Sequence, residues 1–376
     1  MNIIIAQGAG GQDFVQWRDL FGEILLTYKS ISNRFLASVG GGRGRGTHVV
    51  MGDVNNDGYP DVVETFGVIT EPALFPNVVI IFNFGSFTAF PIGEGNSVRY
   101  NYGELRTAVG DFISSGENLL AVAQGYGSQL GIVRLFQYTG APPPNAWRIV
   151  GQFQPLDDRP TLNNANGGVT LTAGDVDGDG LDELLVGQTN SSTSLTQFSV
   201  LDIDATGNNP IRHNFVGFPA GFRGQGGVEM AVADLNGDGV NEIVVASGGN
   251  AGTADTGNVI GVIRPVVLNG SVVSFIRPDG ISVLKVVGDS HNSSGGLSIA
   301  AGELDGNPDN GQEIVFGSGK EAPASFYKTI RLEYDPSGGV NGKVTSFRFL
   351  AGGPRNIDFV MEAFGFPGAV HVAATR

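Results

Sequence analysis

A short acidic segment recurs along this chain, and its repetition constrains the fold more than any other feature. Four copies align at residues 49–63, 171–186, 230–245 and 299–315, and two weaker copies occupy residues 108–122 and 359–373. The copies follow one another about every 60 residues, a period that divides about six times into the 376 residues of the chain. Self-similarity at a fixed period of this length is typical of solenoids, propellers and other repeat architectures.

Each repeat unit carries the same order of strand signals. An apolar segment enters the acidic loop, and a β-branched segment leaves it. A turn rich in Gly, Ser and Asn follows, as at residues 187–192, and two further β-branched or aromatic segments complete the unit, as at residues 77–82 and 195–201. No stretch has the 3.6-residue period of an amphipathic helix. Four strands per unit predict an all-β fold, a β-propeller of four-stranded blades that forms a single domain over residues 1–376.

The two ends of the chain bear on the number of blades. Strand signals lie at residues 2–6, 14–18 and 23–28, and the sixth copy has one strand on each side of the turn at residues 365–368. We expect the first residues to complete the last blade, so that N- and C-terminal strands close the ring. Six loop copies favour six blades, and the additional strand at residues 2–6 leaves seven blades as the alternative.

The composition excludes several classes of protein. Because the chain has no cysteine, it cannot form disulfide frameworks, zinc ribbons or iron–sulfur sites. It has 22 Lys and Arg residues against 37 Asp and Glu residues, a formal charge of −15, which argues against a nucleic-acid partner. No apolar run reaches the roughly 20 residues that span a bilayer. The first residues lack the basic start of a signal peptide, so the sequence is expected to be cytoplasmic, or else a mature or excised piece of something larger.

The acidic loops have the spacing of cation ligands. In the pattern Asp-x-Asp/Asn-x-Asp-Gly-x-x-Asp/Glu, the first, third, fifth and ninth positions carry oxygen-bearing side chains, the seventh offers its backbone carbonyl, and the glycine allows a sharp turn. Ca²⁺ is bound by six to eight oxygens and accepts irregular geometry better than Mg²⁺ does. Three loops carry the full set of ligands: Asp53, Asn55, Asp57, Tyr59 and Asp61; Asp175, Asp177, Asp179, Leu181 and Glu183; and Asp234, Asn236, Asp238, Val240 and Glu242.

The fifth copy has an altered loop. Glu303, Asp305 and Asn307 begin it and Glu313 ends it, but Pro308 stands where the other loops have glycine, and the loop is longer. A cation held there would therefore have a different geometry. We treat this loop as an open fourth site.

The two weak copies lack the ligands. Ile113 and Ser115 stand at the third and fifth positions of the second copy, and the turn at residues 365–368 has no carboxylate. We predict three Ca²⁺ sites, with no ion in the second and sixth copies. The alternative for all the loops is an Asx-type turn with solvated carboxylates. Mutual repulsion among three or four such groups within nine residues favours a cation instead.

The acidic segments resemble the FG-GAP/VCBS repeat, the blade of integrin-α-type propellers. The match is clearest in Ala-Gly-Asp-Val-Asp-Gly-Asp-Gly at residues 173–180 and in Ala-Asp-Leu-Asn-Gly-Asp-Gly at residues 233–239. The resemblance covers essentially the whole chain and implies that the loop between the first two strands of a blade binds calcium. Most of the Phe-Gly and Gly-Ala-Pro sequences that are typical of the family are missing here, and glycine-rich stretches such as residues 40–46 and 221–227 stand in their place. The resemblance therefore implies the family rather than an integrin-like subtype.

The sequence shows no side-chain pattern typical of an enzyme. The four histidines have no Glu or Cys at zinc-binding spacing, and no Gly-x-Ser-x-Gly elbow is present. We therefore expect a non-enzymatic, calcium-stabilised extracellular module for binding or adhesion, or a structural unit of a surface assembly, with a protein or glycan ligand on a loop face. A lectin is the first alternative, since fungal lectins of similar repeat design bind sugars between blades. A polysaccharide lyase or hydrolase is the second, but it requires a cluster of His, Lys or Arg beside a carboxylate.

Overall fold

The computed structural model shows an all-β chain. It describes residues 3–7, 14–18, 23–30, 47–66, 78–82, 86–90, 105–113, 116–124, 132–142, 145–155, 168–188, 197–208, 210–216, 227–235, 237, 239–247, 259–268, 271–276, 284–285, 296–304, 307, 311–319, 326–330, 332–334, 347–349, 360–362 and 370–374. Within these ranges every regular element is a strand. No helix with the length and hydropathy needed to cross a bilayer occurs in them.

The strands of the described ranges form six antiparallel sheets of four or five strands and one sheet of two strands. Sheet 1 contains β4 (Thr47–Gly52), β5 (Asp61–Phe66), β6 (Val78–Phe82) and β7 (Ser86–Phe90). Sheet 2 contains β8 (Leu105–Gly110), β9 (Leu119–Gln124), β10 (Val133–Tyr138) and β11 (Trp147–Phe153). Sheet 3 contains β12 (Val169–Gly174), β13 (Glu183–Gln188), β14 (Gln197–Ile203) and β15 (Pro210–Val216).

Two further sheets repeat this order with additions. Sheet 4 contains β16 (Val228–Ala233), β17 (Glu242–Ser247), β18 (Val259–Leu268) and β19 (Ser271–Ile276), and the short β20 (Leu284–Lys285) also pairs with β18. Sheet 5 contains β21 (Leu297–Gly302), β22 (Glu313–Ser318), β23 (Phe326–Ile330) and β26 (Val360–Glu362). Between β23 and β26 the chain forms a separate pair, β24 (Leu332–Tyr334) and β25 (Phe347–Phe349).

The sixth sheet, here called the terminal sheet, combines strands from both ends of the chain. Its strand order is β27 (Val370–Ala374), β1 (Ile3–Gln7), β2 (Phe14–Arg18) and β3 (Ile24–Lys29). The two distant segments pair antiparallel, with Ile3 opposite Ala374 and Gln7 opposite Val370. The strand signals near the N-terminus are thus confirmed, and β1 is the second strand of a four-stranded sheet rather than a spare one.

The interpretation of the sixth acidic copy was wrong. Its first strand was expected to pair with the strand after the turn at residues 365–368, a turn that lies outside the described residues. Instead β26 pairs with β23, with Tyr327 opposite Met361, and so forms the last strand of sheet 5. The strand that follows, β27, pairs with β1. The apolar residues of β26 resemble a strand that enters an acidic loop, but local pattern alone does not show which neighbour a strand will join.

Apolar clusters fill the spaces between the sheets. The second strands are apolar without alternation because both of their faces are covered; in β13, Leu184, Leu185 and Val186 are all fully buried. Six clusters of buried residues lie between pairs of sheets: 1 with 2, 2 with 3, 3 with 4, 4 with 5, 5 with the terminal sheet, and the terminal sheet with 1. Each sheet therefore contributes one face to each of two clusters.

The first strands of the six sheets line a common cavity. Its volume is about 120 Å³, and its walls come from β4, β8, β12, β16, β21 and β27. Arg106 reaches across it, with its Nη1 2.6 Å from Nδ1 of His48 and 3.5 Å from Oε1 of Glu229. Small four-stranded antiparallel sheets that surround a central cavity and pack face to face are the architecture of a β-propeller.

Candidate metal centre

The acidic loops connect the first two strands of sheets 1 to 5, as the sequence predicted. Loop 1 comprises residues 53–61, loop 2 residues 111–119, loop 3 residues 175–183, loop 4 residues 234–242 and loop 5 residues 303–313. Each strand pair is in register up to the loop; in sheet 3, for example, Gly174 lies opposite Glu183. The sheet thus brings the first and last residues of a loop together and determines where their side chains meet.

The first carboxylate of each ligand-rich loop organises the loop backbone. Asp175 accepts hydrogen bonds from the amides of Gly178, at 2.6 Å, and Gly180, at 3.0 Å. Asp234 accepts the equivalent pair from Gly237 and Gly239, both at 2.8 Å. Asp53 does the same in loop 1, with amides of residues 57 and 58 at 3.0 and 2.8 Å. The side chain therefore closes the turn around itself.

The glycine at the sixth position of the loop is required by the backbone conformation. Gly58, Gly180 and Gly239 have φ angles of 87°, 92° and 82°, a region that glycine enters without steric cost. The prediction that glycine allows the sharp turn is thus confirmed in loops 1, 3 and 4. The fourth position also has positive φ, and there loop 1 uses Asn56 at 60°.

The last acidic side chain of the loop is buried at its base. One carboxylate oxygen accepts the amide of the second loop residue: Val54 to Asp61 at 3.1 Å, Val176 to Glu183 at 2.7 Å, Leu235 to Glu242 at 2.9 Å and Leu304 to Glu313 at 2.8 Å. All four acidic residues are at most 3% exposed. A carboxylate withdrawn from water in this way requires a compensating positive charge or a proton.

Loop 3 gathers three carboxylates. Ligand oxygens of Asp175, Asp177 and Glu183 lie within 4.8 Å of one another, the one such group of His, Cys, Asp and Glu side chains among the described residues. Burial raises the pKa of Glu183 to about 9, and the neighbouring aspartates add to the rise. Burial and the charge of Asp179 also raise the pKa of Asp177. Three hard oxygen donors that repel one another fit a divalent cation.

The other loops differ in what surrounds the last acid. In loop 4, Nε of Arg264 lies 3.8 Å from Oε1 of Glu242. In loop 5, burial raises the pKa of Glu313 to about 7, with Glu303 adding to the rise. Loop 1 has the amide of Asn55 at its third position, where loop 3 has a carboxylate. Asn236, Asp238 and Asp305 lie outside the described residues, so the predicted ligand sets of loops 4 and 5 are only partly described.

Loop 2 folds around apolar residues. Phe112 is buried and Ile113 packs against the cluster between sheets 2 and 3. Ser115 lies outside the described residues. The apolar side chain at the third position offers no ligand oxygen. That this loop holds no ion stays a prediction from its side chains.

Sequence reasoning missed a set of contacts between neighbouring loops. The residue just before the last loop position reaches back to the first residue of the preceding loop: Asn118 to Asp53, Asp182 to Asp111, Asn241 to Asp175 and Gln312 to Asp234. We call these four side chains the clasp residues. A polar residue before the last position recurs in loops 2 to 5, but its partner lies about 60 residues away, so the local pattern gave no sign of the contact.

The fold and the loops define a β-propeller whose blades carry acidic loops. The family model described as the FG-GAP repeat matches residues 167–204, which comprise loop 3 and the strands on either side of it. This segment is an FG-GAP repeat, and the resemblance noted from the sequence is confirmed for it. A comparison with curated protein sequences finds no significant match.

Solved structures of similar shape are distant. An exotype rhamnogalacturonan lyase, YesX, is 14% identical with a TM-score of 0.37; the match covers 92% of this chain and 60% of the lyase. The rhamnogalacturonan lyase of Bacillus licheniformis is 14% identical with a TM-score of 0.36, and covers 93% and 69%. The Dos1 propeller is 11% identical with a TM-score of 0.34, and covers 80% and 72%. The chain thus spans about 60% of the length of YesX.

Proposed function

We propose that the six larger sheets are the blades of one closed six-bladed propeller. Three observations support this: the pairing of β1 with β27, the six apolar clusters that link the sheets in a cycle, and the cavity lined by one strand from each sheet. In a closed ring every blade has two neighbours, which protects the sheet faces. The terminal sheet joins the two ends of the chain and acts as the closure.

The ligand-rich loops 1, 3 and 4 are calcium sites that stabilise this ring. The observation that carries the proposal is the group formed by Asp175, Asp177 and Glu183 within an FG-GAP repeat. Asp179 and the carbonyl of Leu181 complete the ligand set in loop 3. Loops 1 and 4 bind in the same manner through the residues given above. Loop 5, with Glu303, Asp305, Asn307 and Glu313 as its candidate ligands, stays an open fourth site.

The cation supplies positive charge where the fold has buried negative charge. When ionised, Glu183 has no water to solvate it and three aspartates nearby, so a bound divalent cation removes the repulsion that would otherwise oppose folding. A ligand that binds only the folded state adds RT ln(1 + [L]/Kd), about 2.7 kcal/mol per site at a hundredfold excess over Kd. The sites are therefore structural and not centres of chemistry.

At the level of the whole protein, we place this chain among non-enzymatic modules outside the cell that bind a protein or glycan ligand through a loop face, or that form part of a larger surface assembly. Millimolar extracellular calcium suits exposed loop sites of this kind, and a rigid ring presents its loops as a fixed surface. The formal charge of −15 disfavours nucleic acid as the partner.

The calcium sites are tested by metal analysis and melting of the full chain. We expect bound calcium after dialysis against low calcium, and a fall in melting temperature of several degrees when EDTA is added. In a sample in which magnesium has first replaced the calcium, EDTA should lower the melting temperature little further. A melting temperature that EDTA leaves unchanged, together with no detectable bound metal, would refute calcium stabilisation.

The binding role is tested separately on a glycan array and a panel of acidic polysaccharides. Binding to one class of glycan would show that the ligand is a glycan and that the module acts as a lectin. Turnover of any polysaccharide would overturn the non-enzymatic assignment. Because these assays do not measure metal content, their outcome is independent of the calcium sites.

A further inference from the structure

Three of the four clasp residues make direct contact with the first ligand residue of a neighbouring cation loop. The amide Nδ2 of Asn118 donates to the backbone carbonyl of Asp53 at 2.9 Å, and Nδ2 of Asn241 donates to that of Asp175 at 2.6 Å. Oε1 of Gln312 accepts the amide of Asp234 at 3.1 Å, while its own backbone amide donates to the carbonyl of Asp234 at 2.7 Å. Three loops with predicted cation sites are therefore each held by the following blade.

The same contact exists where no cation is expected. Oδ2 of Asp182 accepts the amide of Asp111 at 3.1 Å, and the amide of Asp182 donates to the carbonyl of Asp111 at 2.8 Å. A Cβ on the preceding residue, Gly110, would lie 2.6 Å from Oδ2 of Asp182, so the glycine leaves room for this approach. The contact belongs to the ring itself and does not depend on a cation.

We infer that three of the clasp residues, Asn118, Asn241 and Gln312, are positioning residues for the calcium sites of the preceding blade. The carbonyl that Asn118 holds belongs to Asp53, whose carboxylate closes loop 1. Fixing that peptide before a cation arrives lowers the conformational cost of gathering the ligands, as preorganisation does in other binding sites. The inference rests on the proposed calcium sites and adds to them residues that are not ligands.

The arrangement also links one site to the next. Three of the four clasp residues stand directly before the last acid of their own loop: Asp182 before Glu183, Asn241 before Glu242 and Gln312 before Glu313. A cation held by Glu242 orders Asn241, and Asn241 holds the first residue of loop 3. Loop 2, which has no ligands at its third and fifth positions, still connects loop 1 and loop 3 through Asn118 and Asp182.

Loop 1 offers the cleanest test because its clasp comes from a loop that holds no predicted ion. Asn118→Ala removes the bond to Asp53 without removing any predicted ligand. Tyr59, at the seventh position of loop 1 and 64% exposed, can sensitise the luminescence of Tb³⁺, which substitutes for Ca²⁺. Titration of the full chain with Tb³⁺, with Tyr59→Phe as the control for the origin of the signal, therefore reports on loop 1.

We expect Asn118→Ala to weaken Tb³⁺ binding at loop 1 about two- to tenfold, the range set by one lost hydrogen bond. Asn56→Gly is a second variant, since it removes the side chain that accepts the amide of Asn118 at 2.7 Å and relieves a positive φ. Asn208→Ala is the matched control. Asn208 also joins two sheets, by accepting the amide of Gln152 at 3.2 Å, and its other hydrogen bonds in the described ranges go to Asp204 and Thr206, outside the cation loops.

The outcomes separate the positioning role from general stability. Weaker Tb³⁺ binding in Asn118→Ala and Asn56→Gly but not in Asn208→Ala supports the inference, whatever the melting temperatures of the three variants in EDTA. Wild-type affinity in both loop variants overturns the inference and leaves the calcium sites intact. A wild-type chain with no Tyr59-dependent signal overturns the loop 1 site and the role of Asn118 together.

Discussion

The side-chain amide of Asn241 donates a hydrogen bond to the backbone carbonyl of Asp175, 2.6 Å away, and so joins loop 4 to loop 3 across the boundary between two sheets. Asp175 is also the residue whose carboxylate closes loop 3 through Gly178 and Gly180. The first residue of the loop is thus held by its own loop through the side chain and by the next sheet through the backbone. The acidic loops are part of the contact between blades.

Replacing Glu183 with Gln should raise stability in EDTA and lower it relative to wild type in calcium. The amide oxygen of Gln can still accept the amide of Val176, so the base of loop 3 is kept, while the buried charge is removed. Because the pKa of Glu183 is about 9 in the folded chain and 4.5 in the unfolded chain, keeping the group protonated at neutral pH costs on the order of 3–4 kcal/mol, which the substitution relieves. Urea unfolding with and without calcium measures both changes.

Glu117→Gln is the matched control for that substitution. Glu117 is an exposed acid in loop 2, where no ion is expected, so its neutralisation should leave the calcium-dependent part of stability unchanged. Metal analysis should show one fewer calcium ion in Glu183→Gln and the same number in Glu117→Gln. Equal loss of calcium in both variants would mean that overall charge, and not the ligand set of loop 3, governs binding.

Stability should fall with rising pH in the absence of calcium and be nearly independent of pH in its presence. Without a cation, the pKa of Glu183 rises from 4.5 in the unfolded chain to about 9 in the folded chain. Its protonated form then stabilises the fold fully below pH 4.5, and that stabilisation is lost as pH rises toward 9. Glu313, with a pKa raised to about 7, acts in the same direction over a narrower range.

With calcium bound, the ligand carboxylates are ionised in the folded chain, and above pH 4.5 they are ionised in the unfolded chain as well. Unfolding then releases or takes up no proton at these groups, so stability should be nearly independent of pH over the same range. Unfolding midpoints at acidic, neutral and mildly alkaline pH, each in EDTA and in calcium, show the two slopes. In Glu183→Gln the EDTA slope should be shallower. Identical slopes in EDTA and calcium would show that the buried acids do not bind the ion.

Tyr28→Phe should destabilise the chain by about 1–3 kcal/mol, because it removes a hydrogen bond to a buried carboxylate. The hydroxyl of Tyr28 donates to Oε1 of Glu64 at 2.7 Å, and the hydroxyl of Ser30 donates to Oε2 at 2.8 Å. Burial and Glu64 raise the pKa of Tyr28, which keeps the phenol protonated as the donor. The contact joins the terminal sheet to sheet 1.

Tyr59→Phe serves as the control for Tyr28→Phe when both are unfolded in urea without a cation. The exposed ring of Tyr59 should tolerate the loss of its hydroxyl within about 0.5 kcal/mol. Equal effects of the two substitutions would show that the bond between Tyr28 and Glu64 adds nothing to the joining of the terminal sheet to sheet 1.

Gly151→Ala should destabilise the chain by about 2–3 kcal/mol through the contact between sheets 2 and 3. A Cβ at Gly151 in β11 would lie 2.1 Å from the backbone oxygen of Gly207, and a backbone atom cannot move aside as a flexible side chain can. Gly140→Ala is the comparison: Gly140 has φ of 69° but open space around it, so only the backbone cost of about 1 kcal/mol applies. Thermal unfolding of both variants gives the difference, and a smaller effect at Gly151 would contradict the packing argument.

The sequence by itself determined the strands, the loops and the repeat. The acidic pattern with glycine at the sixth position specifies a local turn, because the carboxylate of Asp175 and the amides it accepts lie within six residues of one another. The β-branched segments around the loop specify strands, and FG-GAP character follows from the same local residues. These features depend on neighbours in the chain, so a periodic sequence displays them directly.

The tertiary structure decided which segments meet across long separations. It placed Val360–Glu362 as the last strand of sheet 5 rather than as the first strand of another unit, and paired Ile3–Gln7 with Val370–Ala374. It also brought Asn118 to Asp53 and Asn241 to Asp175, contacts that no local sequence pattern predicted. The physical reason is that packing between sheets depends on the shape and burial of whole faces, and a residue reaches a partner about 60 positions away only after each sheet has formed.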